Sequence, residues 1–246
     1  MQPASSKFIV LRKVDSTNNY AMALIQEGGA TDAMGIFALH QTSGKGRLAK
    51  KWESNAGKNI ILSIVAQMQW LQVYQQFQLS VAAALACKQF FLQFIKKGIK
   101  IKWPNDIYLN DSKAGGILIE NQLQGNLWQW SVIGIGLNIN EDNFDGKDFR
   151  AVSLKQITGK QYDVIELGKQ LHQLVIEYIN KLKDHQFNDM LNDYNEHLFC
   201  RGEKVKLKKG NMIFETTIEK ISPAGQLLTA DTIQHVFEFN EVSWLV

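Results

Sequence analysis

The chain has 246 residues, 45% hydrophobic and 21% charged, with a formal net charge of +3. That is room for one large domain or a large and a small one, and enough chain to bury a sizeable core. The charge is too slight to argue for nucleic acid, and Cys87 and Cys200 are too few and too far apart for a disulfide framework. The five histidines form no close pair of the kind zinc needs. The first residues lack the apolar stretch of a signal peptide. No run of about 18 apolar residues marks a membrane span, so the composition reads as a cytoplasmic protein.

In chain order, 8–14 reads as a short apolar strand, and 15–29 as a helix opened by Asp15-Ser16-Thr17-Asn18 and closed by Gly28-Gly29. Strands are expected at 35–41 and 59–68. A long Ala/Leu/Phe-rich helix over 72–98 is expected to end at Lys96-Lys97-Gly98. Four more strands follow at 99–104, 107–110, 115–121 and 128–139. Asp163–Lys183 reads as a second long helix, with Asp163 and Glu166 as a capping box and Leu167, Leu171, Leu174, Val175, Tyr178 and Leu182 on one face. Beyond about residue 200 the pattern becomes short strands split at Lys209-Gly210-Asn211 and Pro223-Ala224-Gly225, as in a small β-barrel. Strands and helices do not alternate regularly, so the class is α+β rather than doubly wound.

Three segments carry chemistry. Residues 42–52, TSGKGRLAKKW, hold Lys45, Arg47, Lys50 and Lys51 with no carboxylate among them, loosened by Gly44 and Gly46 and closed by Trp52. Such a loop suits a nucleotide, with cations on phosphate and a ring beside the base, but a solvated basic loop has the same composition. It is no P-loop, because Leu39 stands where the first glycine belongs. In 101–120, Pro104-Asn105-Asp106 forms a corner that reads as an Asx-type turn or as the site of a magnesium or hydroxyl ligand at Asp106. Lys113 then precedes Gly115-Gly116, where a backbone can approach closely. In 133–140, Gly134, Gly136 and Asn138 share one strand face, as under a packed helix or under a ligand to which Asn138 donates.

Together these segments resemble the catalytic domain of biotin protein ligases. The resemblance rests on STN at 16–18, Gln41 ahead of the glycine-cation loop, KWPND at 102–106, KAGGILIE at 113–120 and GIGLNIN at 134–140, in the family's order. It extends from about residue 8 to the C-terminus. The loop departs from the family's G-R-G-R-x-G-x-x-W at Lys45 and Ala49.

The resemblance implies a mixed sheet with helices in a catalytic domain over 1–198 and an SH3-like barrel over 199–246. It implies an ATP-dependent, AMP-forming ligase that makes biotinyl-5′-AMP and passes the biotinyl group to a lysine of a biotin carboxyl carrier protein. By the same resemblance, Ser16, Thr17, Asn18, Gln41, Lys45, Gly46, Arg47, Lys113, Gly115 and Gly116 hold biotin. Arg47, Trp52, Lys102, Asn105, Asp106, Lys113 and Asn138 serve ATP, with Mg²⁺ near Asp106. Lys113 and Arg47 act in catalysis. Family members often dimerise through an exposed sheet, which leaves a homodimer open. A lipoate or octanoate ligase of the same fold, or a biotin-binding module without activity, are the alternatives. The lipoate enzymes' R-R-x-[ST]-G-G-G loop is absent, and the module would lack Lys113 or Arg47. A DNA-binding helix-turn-helix of roughly 60 residues would have to precede Ser16, so no DNA partner is expected.

Overall fold

The computed structural model describes residues 7–144 and 150–245. A seven-stranded mixed sheet forms its centre. The strands are β1 (Phe8–Leu11), β2 (Met34–Ala38), β3 (Ile60–Gln67), β4 (Ile99–Lys102), β5 (Asp106–Leu109), β6 (Ser112–Gln124) and β7 (Leu127–Leu137), ordered β1-β2-β3-β7-β6-β5-β4. Only β1 and β2 pair in parallel. The antiparallel run β4-β5-β6-β7 follows from connections of two or three residues, which suit antiparallel neighbours, whereas β3 reaches β7 only by a long excursion through α2 and β4 to β6.

The helices divide between the two faces of the sheet. Helix α1 (Thr17–Gln26) lies on one face, where Ala21 and Ile25 pack with Ile36, Val65 and Val132. On the other, α2 (Gln76–Leu92) is buried on nearly every side, from Phe77 through Ala82-Ala83-Ala84 to Phe91. It packs on β4, β5 and β6 beside α4 (Val164–Lys183), which lies on β2 and β3. Its alanines let backbones come close, and its rings fill the core beneath β4, β5 and β6. The buried face of α4 carries Leu167, Leu171, Val175, Tyr178 and Leu182, as the sequence predicts.

Two helix ends differ from expectation. Helix α2 stops at Leu92, before the lysines, because Phe94 turns back onto Phe90 and Tyr162, with ring centroids 5.3 Å from each. Gly98, at φ +83°, fits against Asn110 at the start of β4 rather than capping the helix. At α4, Asp163 accepts from the backbone N–H of Ile165 and Glu166, but Glu166 pairs with Lys169 instead of closing a box. The reciprocal box lies at α3 (Leu154–Thr158), between Ser153 and Gln156. Neither α3 nor α5 (Phe187–Glu196) was expected from the sequence.

Residues beyond 203 form a five-stranded antiparallel sheet: β8 (Lys204–Lys209), β9 (Met212–Ile221), β10 (Leu227–Ala230), β11 (Gln234–Phe237) and β12 (Ser243–Leu245), ordered β11-β10-β9-β8-β12. The expected turns at 209–211 and 223–225 join β8 to β9 and β9 to β10. The class is α+β, a mixed sheet with helices followed by an antiparallel sheet. The two sheets share one core. Leu207, Ile218, Ile221, Leu227 and Phe237 belong to the same buried cluster as Phe77 and Trp103. Trp103 seals the join: its indole N–H donates to the Gly225 carbonyl at 2.9 Å, and its ring stacks on Phe239. Gly225 must lack a side chain there, since a Cβ would meet the Phe77 ring at 2.7 Å.

Candidate functional site

A cavity of about 1090 Å³ opens on the α1 face of the large sheet and continues under the second sheet. Every site residue expected from the sequence lines it except Gly115. Gly115 points toward Leu137 and the Gly136 carbonyl, where its missing side chain lets β6 close on β7.

One end of the cavity is highly polar and, apart from a Lys45–Glu120 pair at its edge, uncharged. Ser16 stands at the N-cap of α1 without capping it through its side chain, and Thr17 and Asn18 turn inward, nearly fully buried. The Gln41 carbonyl oxygen accepts from both the backbone N–H (2.7 Å) and the hydroxyl (3.0 Å) of Thr17. Ser63, wholly buried on β3, donates within reach of Thr17 Oγ1 (2.7 Å) and Asn18 Oδ1 (2.6 Å). The Asn18 amide donates to Glu120 at 2.6 Å, and Lys45 from the loop lies 3.7 Å from the same carboxylate. Buried polar groups demand partners, so this network fixes the orientation of each member. The helix-capping role open to Ser16 and Thr17 in the sequence is not the one taken.

The glycines of β7 make room for that arrangement. At Gly134 a Cβ would run into the Asn18 carboxamide, and at Gly136 it would meet the Trp52 ring at 2.5 Å. Of the two readings for this face, Gly134 thus matches packing against a helix. Gly136 receives the indole, whose Nε1 is buried without a hydrogen-bond partner among the described residues. Asn138 donates to the carbonyls of Lys113 (3.3 Å) and Val152 (3.2 Å). It therefore ties β7 to the start of β6 and to residue 152, where the sequence suggested donation to a ligand.

The other end is cationic. The loop folds as a small hairpin, with bonds from Gly46 N–H to the Lys50 carbonyl (2.7 Å) and from Trp52 N–H to that of Gly44 (3.0 Å). Its turn falls on Leu48, at φ +53° with the side chain exposed. Arg47 leans across the cavity. Its guanidinium donates to Asn240, in the turn between β11 and β12, at 2.6 Å and to Asn105 at 3.4 Å, and lies 5.5 Å from the centroid of Phe239. Burial lowers the Arg47 pKa, opposed by the charge of Asp106. Lys113 faces Asp106 at 2.6 Å. Asn105 forms no Asx turn: its amide donates to the Ile117 carbonyl at 2.9 Å and pins the Pro104 corner to β6.

Lys102 sits in a box of three rings, 5.0 Å from Tyr108, 5.3 Å from Phe199 and 5.1 Å from Trp244. Burial brings its ammonium pKa down to about 8. The same burial, with Asp106 nearby, pushes Tyr108 up to about 12. Among the described residues, the one cluster with metal-ligand geometry is Asp193, Glu196 and His197 on α5, which does not line this cavity. Glu53, Asp111 and Glu241 also line the cavity, but Asp106 is the carboxylate at the Pro104 corner and is already matched by Lys113. Such a group fits an ion held mostly by a ligand's own phosphates.

The model of the biotin/lipoate A/B protein ligase family matches residues 10–138. The chain belongs to that family. The biotin–[acetyl-CoA-carboxylase] ligase of Paracoccus denitrificans is 28% identical over 225 residues, 89% of this chain and 92% of that protein. The bifunctional ligase/repressor BirA of Bacillus spizizenii is 30% identical over 158 residues, 63% of this chain but 48% of that protein. The chain thus matches about half the length of that relative. Among solved structures, the Aquifex aeolicus biotin protein ligase in complex with biotin and ATP superposes with a TM-score of 0.82 at 26% identity, covering 97% of this chain and 98% of that one.

Ser63 and Glu120, which hold Thr17 and Asn18 in place, were not expected as site residues, nor were Phe239 and Asn240 of the turn between β11 and β12 or Trp244 of β12. Glu120 had a signal: it ends KAGGILIE on the same strand face as Gly116. Ser63 is one hydroxyl inside an apolar strand, a weak signal of the same kind.

Proposed function

We propose that the protein is a biotin protein ligase that makes biotinyl-5′-AMP from biotin and ATP, then biotinylates a lysine of a biotin carboxyl carrier protein. The observation that carries this reading is the joining, on one sheet face, of a largely buried polar end to a cationic end. A ureido ring brings two N–H donors and a carbonyl acceptor, which the Thr17, Asn18, Gln41 and Ser63 network can exchange for its internal bonds. A dithiolane ring or an alkyl chain brings neither and would leave those groups unmatched, a large discrimination in a buried polar site. The network thus favours biotin over lipoate or octanoate.

In the first step a carboxylate oxygen of biotin attacks the α-phosphorus of ATP, and the bond to pyrophosphate breaks. In the second, the acceptor amine attacks the acyl carbonyl, and AMP leaves with the electron pair. Both steps concentrate negative charge, so the protein works by positioning and electrostatics rather than through a covalent nucleophile. Lys113 faces the carboxylate–phosphate junction once it exchanges Asp106 for substrate. Lys45, Gly46 and Arg47 close over the biotin tail and phosphate, and Gly116 leaves space beside them. Trp52, Lys102, Asn105 and Asp106 serve the nucleotide, which brings Mg²⁺ on its phosphates, while Asn138 holds the strands beneath it. The same reading places the protein in the cytoplasm.

The test is exchange of labelled pyrophosphate into ATP. Biotin should support exchange, and lipoate and octanoate should not. Exchange with lipoate and none with biotin would overturn the substrate assignment.

A further inference from the structure

Strand β8 reads KVKLKK, and its alternation turns Lys204, Lys206 and Lys208 to the outer face of the second sheet while Leu207 is buried inside. The cross-strand neighbours on that outer face include two exposed apolar side chains. Ile213 of β9 sits opposite Lys208, and Leu245 of β12 sits opposite Lys206. They are 61% and 42% exposed. Among the described residues, the counter-charge on this face is Glu215, 3.8 Å from Lys206 with both side chains largely in solvent, a pair that contributes little. Lys208 also lines the mouth of the large cavity. The stripe therefore begins at the site and runs about 13 Å away from it, at roughly 3.3 Å per residue.

We infer that the outer face of β8, flanked by Ile213 and Leu245, is the docking surface for the acceptor carrier protein, which presents carboxylates around a small apolar patch. This rests on the ligase reading above. Exposed apolar groups ringed by one sign of charge fit a protein surface of the opposite sign, with the charges steering encounter and the apolar groups holding contact. A partner seated there has its near edge at Lys208, beside the cavity where the acyl group is handed over. Lys204 and Lys206 do not line the cavity, so docking and adenylate formation are separable.

The experiment compares the parent with Lys204→Glu/Lys206→Glu, using the carrier domain as acceptor. The variant should lose about tenfold or more in kcat/KM for the carrier at low salt, mainly through KM. Its biotin-dependent pyrophosphate exchange should stay within about twofold of the parent. Transfer by the parent should slow as salt rises, and transfer by the variant should be nearly insensitive. Lys204→Gln/Lys206→Gln should give a smaller loss, and Lys96→Glu/Lys97→Glu, a matched reversal at exposed residues after α2, should give none. Normal exchange with unchanged carrier kinetics would overturn the docking surface and leave the ligase reading standing. Unchanged carrier kinetics with lost retention of random duplex DNA would assign the stripe to nucleic acid and overturn the inference. No exchange in the parent would remove the reading on which it rests.

Discussion

Lys113 and Asp106 neutralise each other across 2.6 Å, with about a fifth of each side chain still open to solvent. On the proposed reading the pair keeps in place a cation that substrate recruits, and its loss leaves the backbone pairing of residue 113 intact. Lys113→Ala is therefore expected to fold normally and to make adenylate about 10²–10³ times more slowly, the usual cost of one preorganised contact to developing charge. Pyrophosphate release measures this, and a near-normal rate would remove Lys113 from the chemistry. Lys102 gives a pH test. Its folded pKa lies below that of a free lysine, near 8, so its charge is lost as pH rises through that value. A bound triphosphate favours the charged form and raises the pKa again. ATP affinity should then fall as pH rises through about 8, with protons taken up on binding, and Lys102→Gln should flatten the profile. Calorimetry in buffers of different ionisation enthalpy reads both effects, and a flat parent profile would separate Lys102 from the phosphates. The residues of the site were legible where they came in contiguous motifs, because a corner such as Pro104-Asn105-Asp106 has a local signature. Ser63 and Asn240 were not, since each reaches the site from a distant strand or turn and only the folded sheet brings them near, while Glu120 lies inside a motif but meets Asn18 only across the sheet.

Strand β7 spaces two glycines on one face, and on the proposed reading each serves a different ligand. Gly134 gives its space to Asn18 and Gly136 to Trp52, two residues and about 6–7 Å apart. Adding a methyl group at each should therefore split the effects. Gly134→Ala should weaken biotin binding by displacing Asn18, and Gly136→Ala should raise the KM for ATP by displacing the indole. Titration with biotin and steady-state kinetics on ATP measure the two, and equal effects of both variants on both ligands would contradict the division. Long periodic elements such as α4 were legible in the sequence because their apolar face repeats over several turns. The end of α2 was not. Lys96-Lys97-Gly98 has the composition of a helix terminus, but the packing of Phe94 on Phe90 and Tyr162 ends the helix earlier. Helix α5 escaped for a related reason: its polar sequence FNDMLNDYNE buries only Met190, Leu191, Tyr194 and Asn195.

At the scale of the molecule, a change of texture near residue 200 marked a second sheet, but nothing in the pattern told how the two would meet. They meet through one core and through the site itself. Trp103 is 2% exposed beneath Gly225 and Phe239, and Arg47 spans the cavity to Asn240. Trp103→Ala should cost about 3–5 kcal/mol, and fluorescence and far-UV dichroism should report one shared unfolding transition in urea for the parent. Two separated transitions would show that the sheets fold apart. The central claim is that the polar and cationic ends of one cavity join biotin to ATP and deliver it to a carrier lysine. Its most direct test is the intact mass of a carrier domain after incubation with the protein, biotin and MgATP. The account predicts a gain of one biotinyl group, lost when the acceptor lysine is replaced. A carrier of unchanged mass, or one modified only when lipoate or octanoate replaces biotin, would contradict it.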